Sequence, residues 1–160
     1  MKNFNFTVKD LALQAMIATV YVAVTFVAYP LSFGNPQIRI AEFMLILIFF
    51  NRKHAVGLLL GCAVANFVGT MGLVDVFFGT LASSIVIFLM LNTKNKLLAF
   101  LWPGVINGII IGLELHFLFQ MPLFLTMFQV FIGEFIATFV LALFLLKPLL
   151  NNKLMQELFN

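Results

Sequence analysis

Apolar residues run along this chain in long blocks, separated by short polar or turn-forming breaks. The first block, residues 11–29, follows the polar start MKNFNFTVKD. It is too long for a signal-peptide core and no small-residue cleavage site follows it, so it reads as retained. The stretch PLSFGNPQIR, with two prolines and a glycine, reads as a loop. Further blocks cover residues 40–50, 55–74, 76–91, 97–119 and 123–146, broken by NRKH, Asp75, NTKNK and QMP. With their borders these blocks predict six helical spans at about 10–29, 38–50, 55–74, 76–91, 97–119 and 122–146, and a polar tail at 147–160. The block at 40–50 rises only about 16 Å as an α-helix, against a bilayer core of about 30 Å. The second span must therefore borrow from the loop before it. Irregular backbone at membrane depth is tolerated where it is buried in protein or lines a cavity, so residues 32–39 point to a cavity. The competing reading is an external loop with local bilayer thinning.

Composition narrows the class. Of 160 residues, 63% are hydrophobic and 9% charged, and the mean hydropathy is +1.13. Soluble domains carry roughly 45–50% apolar and about 25% charged residues, so this chain cannot cover a water-facing globule. Disorder needs the opposite composition. The expectation is an all-α integral membrane bundle in a single transmembrane domain, residues 1–160, with no room for a separate soluble domain. One cysteine, Cys62, excludes an intramolecular disulfide and a cysteine-based metal cluster and reads as packing. The net charge of +3 does not point to nucleic acid, because the basic residues sit at the ends of apolar blocks. With the amino terminus inside, the inner segments hold Lys2, Lys9, Arg52, Lys53, Lys94, Lys96, Lys147 and Lys153, and the outer side holds Arg39. That bias predicts both termini in the cytoplasm.

Membrane helices associate through small residues that let backbones approach. Gly57, Gly61, Ala65 and Gly69 form one stripe and Gly104, Gly108 and Gly112 another, each at four-residue spacing, and both predict closely packed helices. Ala15, Thr19 and Ala23 make a weaker stripe in the first span. It is expected to dock a partner's helix, or else to pack within the bundle.

Polar residues inside apolar blocks carry the functional signal, because a central charge costs about 2.5–3.5 kcal/mol on insertion scales. The set is Arg39, Glu42, Asn66, Asp75, Asn107, Glu114 and Glu134. Following the spans up and down places all of them centrally or in the outer half. Asn107 and Glu114, seven apart, share a helix face. Arg39 and Glu42, three apart, are expected to pair if the helix starts early. Asp75 could instead cap a helix, and Asn66 and Asn107 could bond between helices. Glu134 is the hardest to explain structurally. His54 and His116 lie at opposite faces and read as interfacial. The pattern predicts an outward-facing polar pocket above an apolar plug, with four carboxyls against one arginine. It favours a ligand bearing hydrogen-bond donors or positive charge. No phosphate-binding loop, nucleophile–base motif or metal-binding motif appears, so no enzyme, no cofactor and no ATP hydrolysis by this chain are expected. No inverted repeat of the secondary-transporter kind is evident either.

These residues fall into a recognisable order. PLSFGNPQIRIAEFM carries Q-x-R-x-x-E at Gln37, Arg39 and Glu42. GLLLGCAVANFVGTMGLVDVFFGTLAS carries G-x-x-x-G-C, then Asn66, Gly72, Asp75 and Gly79, followed by WPGVINGIIIGLEL and the GEF around Glu134. Over about residues 11–146 the chain resembles the QueT family, the substrate-binding S components of energy-coupling factor (ECF) transporters for queuosine precursors. The resemblance implies six helices and an external pocket for a 7-deazaguanine base or queuine. That pocket would be formed by Gln37, Arg39, Glu42, Asn66, Asp75, Asn107, Glu114 and Glu134. It also implies residence in the bacterial plasma membrane. The implied partners are a transmembrane coupling protein and two cytoplasmic ATPases. Two alternatives are an S component for another small vitamin, and an autonomous proton-coupled carrier with Glu114 and Glu134 as relays.

Overall fold

The computed structural model describes residues 6–34, 36–69 and 71–159, and all regular structure among them is helical. Lys2, counted in the charge bias, lies outside the described residues. Helix α1 (Val8–Val27) opens on a capping box: Asp10 N–H donates to Thr7 Oγ1, and Thr7 N–H donates to Asp10 Oδ2. A single turn, α2 (Tyr29–Ser32), and an irregular segment lead to a 3-10 helix, Ile40–Phe49. Next come α3 (His54–Val68), α4 (Leu73–Asn92), the short α5 (Lys96–Ala99) and α6 (Trp102–Phe119). Helix α7 (Leu123–Glu134) passes through a π-helical segment, Phe135–Val140, into α8 (Leu141–Leu150), and α9 (Lys153–Phe159) follows.

Four stretches are long and apolar enough to cross a bilayer: Val8–Val27, Leu73–Asn92, Lys96–Phe119 and Leu123–Leu150. The chain is a multi-pass membrane protein. Ile40–Phe49 and His54–Val68 are apolar but shorter.

Three features depart from the sequence expectation. The second block gains reach by tightening into a 3-10 helix, which rises about 2.0 Å per residue where an α-helix rises 1.5 Å. Ten 3-10 residues thus span about 20 Å. The third span stops at Val68 rather than reaching residue 74, because Gly72 adopts φ +58° and starts a new helix. Asp75 consequently belongs to the first turn of α4 and is fully buried. The sixth span runs on to Leu150, past Lys147, with a π turn that leaves no mark in the apolar pattern.

Both glycine stripes pack as expected. A Cβ at Gly57 would lie 2.7 Å from Gln14 O, and one at Gly61 would lie 2.7 Å from Tyr21 Cβ, so α3 presses directly on α1. Gly104 and Gly108 face Phe131, and Gly112 faces Met127, so α6 lies equally close to α7. Ala15, Thr19 and Ala23, by contrast, are exposed, because α1 turns Gln14, Ile17, Tyr21 and Thr25 inward.

One end of the bundle is tied by polar contacts. Lys53 Nζ meets Asp10 Oδ2 at 2.8 Å. His54 is buried rather than interfacial: Gln14 Nε2 lies 3.1 Å from its Nδ1, and its Nε2 lies 2.7 Å from Phe159 O. Gln14 Oε1 accepts from Gly57 N–H. The start of α1 and the end of α9 therefore share one face of the bundle. Arg52, Lys53, Lys94 and Lys96 lie at this basic end. Above it sits a core of Leu45, Ile48, Leu58, Met90 and Phe100.

Candidate functional site

The polar residues gather at the other end, and the irregular segment between α2 and the 3-10 helix organises them. Ile38 N–H donates to Leu31 O at 2.7 Å and Ser32 Oγ to Thr25 O at 3.1 Å, which folds the segment back onto α1. On its far side the segment lies against α7. A Cβ at Gly133 would strike the Gln37 backbone, with its carbonyl carbon only 2.6 Å away. Gln37 is thus held beside Glu134 by the missing side chain of one glycine.

Arg39 is buried and forms an ion pair with Asp75, Nη2 to Oδ1 at 3.5 Å. Its guanidinium carbon lies 5.6 Å from the centroid of the Phe33 ring, and Phe33 in turn closes on Gly69. The expected Arg39–Glu42 pair does not form. Entry into the 3-10 helix turns Glu42 toward α1, where Tyr21 Oη donates to Glu42 Oε1 at 2.7 Å. Asn66 Nδ2 donates to the backbone carbonyl of Asp75 at 3.2 Å and approaches Cys62 Sγ at 3.4 Å. Gly79 leaves the space that this amide fills. Cys62 Sγ lies 3.3 Å from Ser83 Oγ, so the thiol closes a polar chain between α3 and α4.

Two carboxyls complete the group. Glu114, on α6, is buried and within electrostatic reach of Asp75 and Arg39. Glu134, at the end of α7, is 1% exposed and within reach of Glu42 and Arg39. The π segment begins immediately after it, and Thr138 Oγ1 is shared between Glu134 O at 2.7 Å and Phe100 O at 3.0 Å. π turns inside α-helices are frequent at functional sites. Asn107 is buried on α6, about 10 Å along the helix from Glu114.

Arg39, Glu42, Asn66, Asp75, Glu114 and Glu134 are thus linked in space by bonds, ion pairs or electrostatic reach, although they come from five different helices and the segment after α2. Gln37 joins them through its backbone. Tyr21 and Phe33 belong to the same cluster and do not stand out from the sequence by charge. The signal for Tyr21 was its place in a buried polar stripe, Gln14, Tyr21 and Thr25, inside an otherwise apolar helix.

Burial without partners is the site's main chemical property. Among the described residues, both Glu114 oxygens, Glu134 Oε2, Arg39 Nε and both Asp75 carboxylate oxygens are buried and make no hydrogen bond. A buried polar atom left unmatched costs roughly 1–3 kcal/mol, and more when charged. Asp75 Oδ1 is engaged by the Arg39 ion pair, whereas both Glu114 oxygens, Glu134 Oε2 and Arg39 Nε are buried acceptors and a donor that the fold leaves unmatched.

A curated relative, the queuosine precursor transporter QueT of Lactococcus lactis subsp. cremoris (strain MG1363), is 27% identical over 147 residues, covering 82% of this chain and 86% of that protein. No solved structure matches the chain. The QueT transporter family matches residues 11–151, from the first turns of α1 past the end of α8 and through all the polar residues above. The chain belongs to the QueT transporter family.

Proposed function

We propose that this chain is the membrane-embedded substrate-binding subunit of an ECF-type importer and takes up a queuosine precursor of the 7-deazaguanine class. The observation that carries the reading is the set of unmatched buried atoms: Glu114 Oε1 and Oε2, Glu134 Oε2 and Arg39 Nε. A guanine-type ring presents adjacent N–H donors, which a carboxylate accepts as a fork, and a carbonyl oxygen, which needs a donor. In this reading Arg39 Nε is the donor, with Gln37 or an asparagine as a further donor, and Glu134 and Glu114 are the acceptors. An aminomethyl substituent on the ring would carry a positive charge, matched by the second carboxyl.

The same reading covers topology and partners. Ile40–Phe49 and His54–Val68 complete six spans, with the 3-10 geometry and the irregular segment lining the pocket at membrane depth. The basic end faces the cytoplasm, and the polar cluster faces outward. Energy comes from a transmembrane coupling protein and two ATPases, and the exposed face of Ala15, Thr19 and Ala23 on α1 docks the coupling protein.

The test has two arms. The purified chain alone, without ATP or partners, is titrated calorimetrically with 7-deazaguanine bases. Vesicles containing only this chain are assayed for accumulation against a gradient. Binding without accumulation is expected. No binding overturns the ligand assignment, and accumulation driven by a proton gradient would make the chain an autonomous carrier.

A further inference from the structure

The basic end of the bundle contains a second polar feature, far from the carboxyl cluster. A cavity of about 270 Å³ opens between the carboxyl-terminal ends of the 3-10 helix and α4, lined by Phe49, Arg52, Leu91, Lys94 and Lys96 among others. Three of the chain's nine basic residues converge on it, and no carboxylate lines it. Among the described residues the ion pairs are Arg39–Asp75 and Lys53–Asp10, so Arg52, Lys94 and Lys96 have no acidic partner. The Lys96 ammonium lies 5.4 Å from the centroid of the Phe49 ring, which leaves its remaining hydrogen-bonding capacity for another group.

The surroundings decide what kind of anion fits. The cavity lies where two apolar helices end, at Phe49 and Asn92. Phe88 and Leu98 stand nearby in sequence, 66% and 49% exposed, as lipid-facing residues do. Trp102 Nε1 donates to Thr93 Oγ1 at 2.9 Å, which fixes an amphipathic indole at the same level. Tryptophan is enriched at the membrane–water boundary. A cavity with a cationic, largely polar lining, set at the ends of two apolar helices with exposed Phe88 and Leu98 nearby in sequence, matches a phosphate attached to acyl chains better than a free ion.

We propose that this cavity binds the phosphate headgroup of an anionic phospholipid, with Arg52, Lys94 and Lys96 around the phosphate and the acyl chains along Phe49 and Leu91. Juxtamembrane basic residues attract anionic lipid at about 1 kcal/mol each, which is about fivefold in affinity per residue. A compact cluster of three therefore gives this site a clear preference over zwitterionic lipid.

The experiment uses the full chain in a neutral detergent. Native mass spectrometry counts retained phosphatidylglycerol against phosphatidylcholine at equal concentration. In parallel, thermal unfolding is followed with short-chain forms of each lipid and with inorganic phosphate. Preferential retention of phosphatidylglycerol is expected, with a rise in unfolding midpoint that phosphatidylcholine and inorganic phosphate do not reproduce. Lys94→Gln with Lys96→Gln should lower that preference by more than tenfold, and adding Arg52→Gln should abolish it. Equal retention of the two lipids by the wild-type chain overturns the proposal, whether or not the variants fold. A full effect from inorganic phosphate alone overturns the lipid assignment. So does an undiminished preference in the variants, and if those variants lose capture of a purified coupling protein, the cluster is a protein interface instead.

Discussion

The Arg39 guanidinium lies 3.5 Å from Asp75 Oδ1, on the first turn of α4, and not against Glu42, its neighbour three residues along the chain. This ion pair joins the segment after α2 to α4 in the buried centre of the site. Removing one member of such a pair strands the other charge and costs about 3–5 kcal/mol, while removing both costs much less. Arg39→Gln and Asp75→Asn should each destabilise the chain strongly, and the double variant should be less impaired than the sum of the two. A double-mutant cycle of unfolding in detergent measures the coupling. Additive effects would mean that the pair contributes no net interaction.

Glu134 should prove the most sensitive carboxyl for ligand binding. Glutamine keeps the shape of the side chain but puts a donor where an acceptor stood. Losing one charge-assisted hydrogen bond costs about 1.5–3 kcal/mol, or roughly 10- to 150-fold in affinity. Glu134→Gln is expected to fold normally and to bind a 7-deazaguanine base that much more weakly, with Glu114→Gln next. Calorimetric titration of each variant checks this. Unchanged affinity in Glu134→Gln would shift the contact to Glu114 or Glu42.

Tyr21→Phe removes the only hydrogen bond that Glu42 makes among those found between described side chains. The carboxyl stays buried, so the loss is the desolvation cost of an unmatched oxygen, about 1–3 kcal/mol. A lower unfolding midpoint is expected in Tyr21→Phe, and much less of a drop when Glu42→Gln is already present. Equal drops in both backgrounds would separate the two residues.

Gly133→Ala tests the hold on the segment after α2. The added methyl would meet the Gln37 backbone, which cannot rotate away as a side chain could. The segment must shift, taking Gln37 and Arg39 with it, so ligand affinity should fall more than stability does. Gly72→Ala is the contrasting case. Its Cβ would meet nothing, but φ of +58° is unfavourable for any side chain. A cost of about 1–3 kcal/mol in stability is expected there. Reversal of these two patterns would remove Gly133 from the pocket's architecture.

Ala15→Leu leaves the inner face of α1 untouched, because Ala15 is exposed. Ligand binding by the purified variant should match wild type, while capture by the coupling protein should fail. Pull-down with that protein decides it, and an undiminished complex would move the docking face elsewhere.

Much of the protein was legible in the residue order. An apolar fraction of 63% with 9% charge leaves no alternative to a lipid-embedded helical chain. The two glycine stripes identified the tight helix contacts, because close backbone approach requires small side chains wherever it occurs. The buried charges announced themselves, since each costs free energy unless something inside the bundle meets it. Tertiary structure alone decided the pairing. Whether Arg39 meets Glu42 or Asp75 depends on a 3-10 turn and on the positive φ of Gly72, and neither follows from helical spacing. His54 and Tyr21 found their partners across helices, at sequence distances that no local pattern encodes. Which way α1 faces was equally undecided by its sequence: its apolar residues are spread around the whole helix, and the contact of Gly57 and Gly61 with Gln14 and Tyr21 turned Ala15, Thr19 and Ala23 outward.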